Sequence, residues 1–271
     1  MKYIELNTKA KMPMLGLGVY QAVGEGEVEG AIANALEAGY RLIDTAAVYK
    51  NEDGVGRAIK QCSIPREELF VTTKVWNNAQ RRGDIVGAFE RSLERLDMDY
   101  VDLYLVHWPV KECYLDTYKE LEKIYATGRA KAIGVSNFLI HHLESLFEVS
   151  GVIPAVNQFE FHPLCTQLEL VKYCQEKNIA VQAYTPIVRN QLADNQLLGE
   201  IAAKYGKEVN QVILRWDIEH GVATIPKSVN ASRIKSNIDI FDFELTKEEI
   251  LAIDSLDQEY RTAAHPDTFD F

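Results

Sequence analysis

The sequence predicts an α/β protein built as a single (β/α)8 TIM barrel, with an N-terminal β-hairpin before it and extra C-terminal helices after the eighth strand. Three observations carry this. The 271 residues are 47% apolar and 25% charged, values typical of a folded chain and not of a disordered, collagen-like or coiled-coil one. Short apolar runs alternate with longer amphipathic ones along the whole chain, the pattern of βα units around a parallel sheet buried on both faces. There are eight such runs, and closing eight strands into a barrel removes the edges that an open sheet would leave unpaired. No Pro- or Ser-rich linker and no block of like charge divides the chain, so residues 1–271 read as one domain.

In chain order, Tyr3–Leu6 and Ala10–Met12 flank a polar Asn7–Thr8 turn and read as the hairpin. The eight strands follow at Met14–Gly18, Leu42–Thr45, Phe70–Val75, Val101–His107, Ala132–Ser136, Ala155–Phe159, Ala180–Tyr184 and Val222–Pro226. Helical periodicity lies between them, as at Glu27–Glu37, Asp84–Arg95, Asp116–Ala126 and Leu168–Glu176. Two short helices near Ser232–Ile238 and Lys247–Ser255 precede an irregular tail.

The net charge of -11 argues against nucleic acid or an anionic membrane as the main partner, since both reward dense Lys and Arg. The opening MKYIELNTKAKMPMLG has neither the apolar core nor the cleavage site of a signal peptide. No run approaches the roughly 18 apolar residues of a membrane span. Four cysteines, Cys62, Cys113, Cys165 and Cys174, are scattered without a C-x-x-C pair, which fits reduced thiols in a cytoplasmic protein.

Barrels place their chemistry at the C-terminal ends of the strands. Here those ends are polar: Asp44, with Tyr49 just beyond it, then Lys74, His107, Ser136 and Asn137, Gln158, Tyr184, and finally Lys227 and Ser228. A phenol is a weak acid near pKa 10, and an adjacent ammonium favours its phenolate. A carboxylate beside the lysine keeps the ammonium charged, and a neutral imidazole can orient a carbonyl oxygen. Asp44, Tyr49, Lys74 and His107 are thus suited to protonating an oxygen that is gaining negative charge. Ser136, Asn137 and Gln158 suit a carboxamide, the Tyr184 ring a flat heterocycle, and Lys227, Ser228 and Arg233 a phosphate at a helix start.

The segments LGLGVYQ, DTAAVYKNEDGVG, TTKVW, LYLVHWP, AIGVSNF, VNQFEFHP and IPKSVNASRIKSNI, in this order, resemble the aldo-keto reductase superfamily over essentially the whole chain. The resemblance implies NADPH bound without a Rossmann fold and a catalytic tetrad of Asp44, Tyr49, Lys74 and His107, with Tyr49 as general acid. It places Ser136, Asn137 and Gln158 on the carboxamide and Tyr184 on the nicotinamide ring. It gives Lys227, Ser228, Asn230 and Arg233 the 2′-phosphate, and Asn237 the adenine. Tyr20, Trp76 and Trp108 become the walls of the substrate pocket. The short loop after His107 and the compact tail resemble the small, mostly microbial branch, which includes 2,5-diketo-gluconate reductases, glyoxal reductases and protozoan prostaglandin F synthases. The family default is a monomer acting on a small carbonyl compound. Two departures stand out: Thr185 where the family often has Ser, and Pro186–Gln191 where it often has a glycine-rich loop.

Gly24-x-Gly26 lacks the third glycine of a dinucleotide fingerprint, and Glu25, Glu27 and Glu29 would repel a pyrophosphate. His141 and His142, adjacent on a helix, are expected to point apart, and no metal site is expected. His162 and His220 read as structural or surface residues, and Cys113 as an ordinary thiol. Lys227 and Arg233, with no acidic residue between them to take a free 2′-hydroxyl, favour NADPH over NADH. Two other classes compete with a carbonyl reductase: a cofactor-sensing interaction protein with little turnover, and a metal-dependent barrel hydrolase, for which ligand spacing is missing.

Overall fold

The computed structural model describes residues 1–271. A two-stranded antiparallel hairpin, β1 (Tyr3–Glu5) and β2 (Lys11–Pro13), comes first. Eight parallel strands follow: β3 (Leu17–Gly18), β4 (Leu42–Asp44), β5 (Phe70–Val75), β6 (Leu103–Val106), β7 (Ile133–Ser136), β8 (Val156–Glu160), β9 (Ala180–Tyr184) and β10 (Ala223–Thr224), each hydrogen-bonded to the next in chain order. Parallel bridges Leu15–Thr224 and Gly18–Lys227 join the last strand to the first and close the barrel. Eleven helices connect and cover the strands: α1 (Glu27–Glu37), α2 (Glu52–Gln61), α3 (Asn77–Arg82), α4 (Ile85–Leu96), α5 (Tyr114–Ala126), α6 (Ile140–Phe147), α7 (Leu168–Glu176), α8 (Gln196–Tyr205), α9 (Val209–Glu219), α10 (Ala231–Ile238) and α11 (Lys247–Asp254). None is long and apolar enough to cross a membrane.

Every predicted strand is present, and the differences lie at strand ends. The first and last are shorter than the apolar runs because their mutual pairing is made through single bridges, and Pro226 has no N–H to extend it. The LGLG run serves the closure: a Cβ on Gly18 would lie 2.8 Å from the Ile225 carbonyl oxygen.

Side chains alternate across a strand, so each strand feeds two cores. Leu42, Phe70, Leu103, Leu105, Ala132, Val156, Ala180, Ala223 and Ile225 point inward and fill the lower barrel, where Leu6 and Met12 of the hairpin region close the floor. Ile43, Val71, Tyr104, Val106, Ile133, Val135, Phe159 and Val181 point outward into the larger core beneath the helices. The same alternation, continued up the strands, puts Asp44, Lys74, His107, Ser136, Gln158, Gln182 and Tyr184 on the inward face above the apolar floor. The lower barrel is therefore a dry plug that leaves the polar layer open only at its C-terminal mouth.

The C-terminal helices are set locally. Thr246 and Glu249 form a reciprocal cap at the start of α11, with Glu249 N donating to Thr246 Oγ1 at 3.2 Å and Thr246 N to the Glu249 carboxylate at 2.8 Å. Tyr40, fully buried, donates its hydroxyl to Ile234 O and fastens α10 to the turn after α1.

Candidate active site at the barrel mouth

The C-terminal ends of β4 and β5 bring Asp44 and Lys74 together inside the barrel. Lys74 Nζ donates to Asp44 Oδ1 at 2.6 Å and to Thr45 O at 2.9 Å, and both side chains are sealed from solvent. Burial pushes the Asp44 carboxyl up and the Lys74 ammonium down, and their mutual pairing opposes both shifts. The other Asp44 oxygen, Oδ2, accepts from Gln158 Nε2 at 2.7 Å.

Tyr49 arrives on one 3-10 turn, Ala47–Tyr49, just past β4. Its ring lies 5.1 Å from Lys74 Nζ, 5.8 Å from the His107 ring and 5.0 Å from the Tyr20 ring. Burial holds its phenol well above the usual value near 10, and the Asp44 carboxylate pushes the same way. The net direction therefore differs from the expected lowering: burial and Asp44 outweigh Lys74, whose ammonium also donates to Asp44 and Thr45. Burial, aided by Lys74, pushes the His107 imidazole well below its ordinary value, so the ring is neutral. Its Nδ1 is buried without a partner. Nε2 is the ring nitrogen that is not enclosed.

The remaining predicted residues surround this cluster. Asn137, at φ +64, donates to His107 O at 2.9 Å and Ser136 Oγ at 3.2 Å, and accepts the Tyr184 hydroxyl at 2.7 Å. Its side chain thus acts as a bracket between β6, β7 and β9. On the far side of the mouth, Asn230 Oδ1 caps α10 by accepting from Ser232 N and Arg233 N. Lys227 and Arg233 are exposed, Ser228 and Asn237 are buried, and neither Lys227 nor Arg233 enters a salt bridge. The loop between β9 and α8 departs from glycine in sequence but not in backbone: Thr185, Val188, Arg189 and Asn190 have φ between +47 and +68. A left-handed backbone costs a non-glycine residue about 1–2 kcal/mol, most of all at β-branched Val188.

Trp76 stands 5.0 Å from His107, edge to face, and Trp108 is buried beside it. The sequence did not reveal what covers them. Phe271 stacks on Trp76 at 5.8 Å and meets Trp108 edge-on at 5.2 Å, while Phe269 lies 4.9 Å from Trp108. The tail carrying these rings is pinned along its length. Glu160 accepts from Thr262 N, Thr262 Oγ1 and Ala263 N at 2.5–3.2 Å. Asp267 meets His141 and His142, and Phe271 O accepts from Asn77 Nδ2 and Arg81.

His141 and His142 do not point apart: their rings are 4.0 Å from each other and both Nε2 atoms reach Asp267 Oδ1, at 3.0 and 3.4 Å. The cause is that His142 turns back to cap α6, its Nδ1 accepting from Leu139 N at 3.1 Å. That bond places the neutral ring's proton on Nε2, so His142 has no lone pair to offer a metal there.

Sequence reasoning also missed three buried polar residues. Asn51 donates to Val19 O and Ala22 O and accepts from Thr45, tying the β3 loop to the Tyr49 turn. Glu52 joins Arg95 to Thr73, outside the barrel wall behind Lys74. Gln182 accepts from Gln158 Nε2 at 2.6 Å. Strand parity would have found Gln182, two residues before Tyr184 and therefore on the same face. A separate groove of about 690 Å³, lined by residues including Lys60, Arg66, Asp97 and Arg129, lies at the opposite end of the barrel, and its cations are paired with carboxylates.

The chain is similar to known proteins over nearly its whole length. The chain is 51% identical over 264 residues to the glyoxal reductase of Bacillus subtilis, covering 97% of this chain and 96% of that one. It is 48% identical over 269 residues to the 9,11-endoperoxide prostaglandin H2 reductase of Trypanosoma cruzi, covering 98% and 95%. The crystal structure of a Bombyx mori aldo-keto reductase in complex with NADP superimposes with a TM-score of 0.92 at 39% identity, over 98% of this chain and 96% of that one. The profile of the aldo/keto reductase family matches residues 14–258, and the chain belongs to that family.

Proposed function

We propose that this protein is an NADPH-dependent carbonyl reductase, with Tyr49 as the proton donor. The observation that carries the proposal is the meeting of Asp44, Tyr49, Lys74 and His107 at the mouth of the closed barrel of an aldo/keto reductase. The residues fit the cofactor. Two exposed cations without carboxylate partners, Lys227 and Arg233, flank the N-terminus of α10, where a 2′-phosphate gains from both charge and helix dipole. Ser228 and Asn230 complete that pocket, Asn237 meets the adenine, Ser136, Asn137 and Gln158 take the carboxamide, and the Tyr184 ring faces the nicotinamide. When bound, the reduced nicotinamide supplies hydride to the carbonyl carbon.

The chain's own groups handle the proton. His107, neutral, donates from Nε2 to the carbonyl oxygen and fixes its position. Tyr49 is protonated at neutral pH, as a phenol with a pKa of about 10 already is, and burial pushes the same way. It becomes an effective donor only as the carbonyl oxygen turns into an alkoxide, a stronger base than phenolate. Lys74, charged through Asp44, then balances the tyrosinate. Tyr20, Trp76 and Trp108 form the wall for the rest of the substrate, and a 1,2-dicarbonyl of the glyoxal type is the proposed class, after the Bacillus subtilis relative. The proposed working form is a monomeric single domain over residues 1–271 in the cytoplasm, where its four free cysteines suit a reducing compartment.

The test is cofactor oxidation, followed by near-UV absorbance, with NADPH and NADH against methylglyoxal, phenylglyoxal and an aromatic aldehyde. We expect turnover with NADPH, a strong preference over NADH that Arg233→Ala reduces, and a Tyr49→Phe variant that binds NADPH normally while losing about 10²–10⁴-fold in rate. Retention of most of the rate by Tyr49→Phe would refute the assignment.

A further inference from the structure

We propose that Gln182 is a positioning residue: it locks the Gln158 amide with its oxygen toward the cofactor site, so that Gln158 reads the carboxamide NH2 of the nicotinamide as an acceptor. The proposal rests on the reading of the barrel mouth as a nicotinamide site.

The geometry is specific. Gln158 on β8 and Gln182 on β9 are register partners in neighbouring parallel strands, and both side chains point into the barrel. Gln158 Nε2 donates to Asp44 Oδ2 at 2.7 Å and to Gln182 Oε1 at 2.6 Å. An amide nitrogen has two hydrogens, and both are used. Flipping the amide would set Gln158 Oε1 against two acceptors, a carboxylate and a carbonyl, at contact distance. Asp44 opposes the flip from one side, and Gln182 opposes it from the other and sets the plane of the amide. Two acceptors fix it. Gln158 Oε1 takes no bond from any protein group, yet it is not among the enclosed unpaired atoms. It is the acceptor left free for a ligand.

Gln182 is in turn held from below, its Nε2 facing Met12 Sδ of the hairpin at 3.9 Å. Its side chain is fully buried and has no other partner, so nothing else in the barrel explains an amide at that position. The chain Met12–Gln182–Gln158–Asp44–Lys74 runs from the barrel floor to the proposed tetrad. It links the group that orients the carboxamide with the carboxylate that holds Lys74.

The test uses binding, separately from turnover. NADP+ and its 3-acetylpyridine analogue, in which a methyl group replaces the carboxamide NH2, are titrated by quenching of tryptophan fluorescence into wild type, Gln182→Met and Gln182→Glu. Wild type is expected to favour NADP+ by roughly tenfold, the scale of one buried hydrogen bond, and Gln182→Met to bind both within about twofold. Gln182→Glu, which keeps a carbonyl acceptor for Gln158 Nε2, is expected to retain the preference. Gln182→Leu is the parallel variant should Gln182→Met fail to fold. A Met or Leu variant that discriminates as wild type does overturns the proposal, and so does a wild type that binds both cofactors equally. Absence of NADP+ binding to wild type would instead overturn the reading of the mouth as a cofactor site.

Discussion

The barrel interior and the aromatic rim of the mouth are built by different means. In the interior, Asp44, Lys74, Gln158 and Gln182 occupy inward positions on strands whose register is fixed by backbone ladders, and they are joined to one another by hydrogen bonds of 2.6–2.7 Å. At the rim, Trp76 and Trp108 leave the ends of strands, but Phe269 and Phe271 come from the C-terminal tail, roughly 160–195 residues further along the sequence. That tail joins no sheet ladder and is held by separate contacts to Glu160, Asn77, Arg81 and the two histidines, and Phe271 is 46% exposed. The difference teaches that one part is made for fixed geometry and the other for exchangeable shape. Loops over a rigid scaffold are where specificity can vary without disturbing the fold.

The largest effect is expected inside. Lys74→Met leaves Asp44 buried with its charged partner gone, which costs about 3–5 kcal/mol, and it also removes the cation proposed to balance the tyrosinate. We expect a clear loss in chemical denaturation and turnover near background. A variant of wild-type stability would break the comparison, because the interior would then tolerate what the rim tolerates.

A smaller effect is expected at the rim. Phe271→Ala removes a half-exposed ring, so stability should change by less than about 1 kcal/mol. It opens the space between Trp76 and Trp108, so KM for an aromatic aldehyde should rise by about tenfold, the scale of one lost apolar contact, with kcat nearly unchanged. Steady-state kinetics on phenylglyoxal and on an aromatic aldehyde would check this. A fall in kcat with unchanged KM would mean that the tail orients the reacting groups themselves.

The same contrast explains how much was legible in the sequence. Inward-facing residues follow from strand position, since an apolar run of known direction fixes which side chains share a face. Asp44, Lys74, His107 and Ser136 could therefore be placed at one mouth before any coordinates. The pairing inside that mouth was less legible. Lys74 near Tyr49 implied a lowered phenol pKa, but burial and Asp44 outweigh the ammonium. The rim was not legible, because a tail with irregular backbone carries no period from which to read its contacts. His141 and His142 show the limit. Adjacent helix positions point apart in a regular helix, but at the N-terminus an imidazole can turn back to bond a free N–H, as His142 does to Leu139.

The smallest effect lies in that tether. Burial lowers the His142 imidazole to about 4, its neighbours His141 and His265 push the same way, and Asp267 opposes them. In the unfolded chain the ring titrates near ~6.5. As pH falls from about 6.5 toward 4, the unfolded chain therefore binds a proton that the folded one refuses, and stability is lost over that window. Protonation of Nδ1 would also break the bond from Leu139 N, which needs its lone pair. In the interior, burial and Lys74 push the His107 imidazole well below its ordinary value, so it adds a loss in the same direction that wild type and a His142 variant share. Thermal melts of wild type and His142→Gln from about pH 7 to pH 4.5 should show a steeper decline for wild type. Parallel curves would mean that Asp267 stabilises the protonated ring as well as the cap stabilises the neutral one.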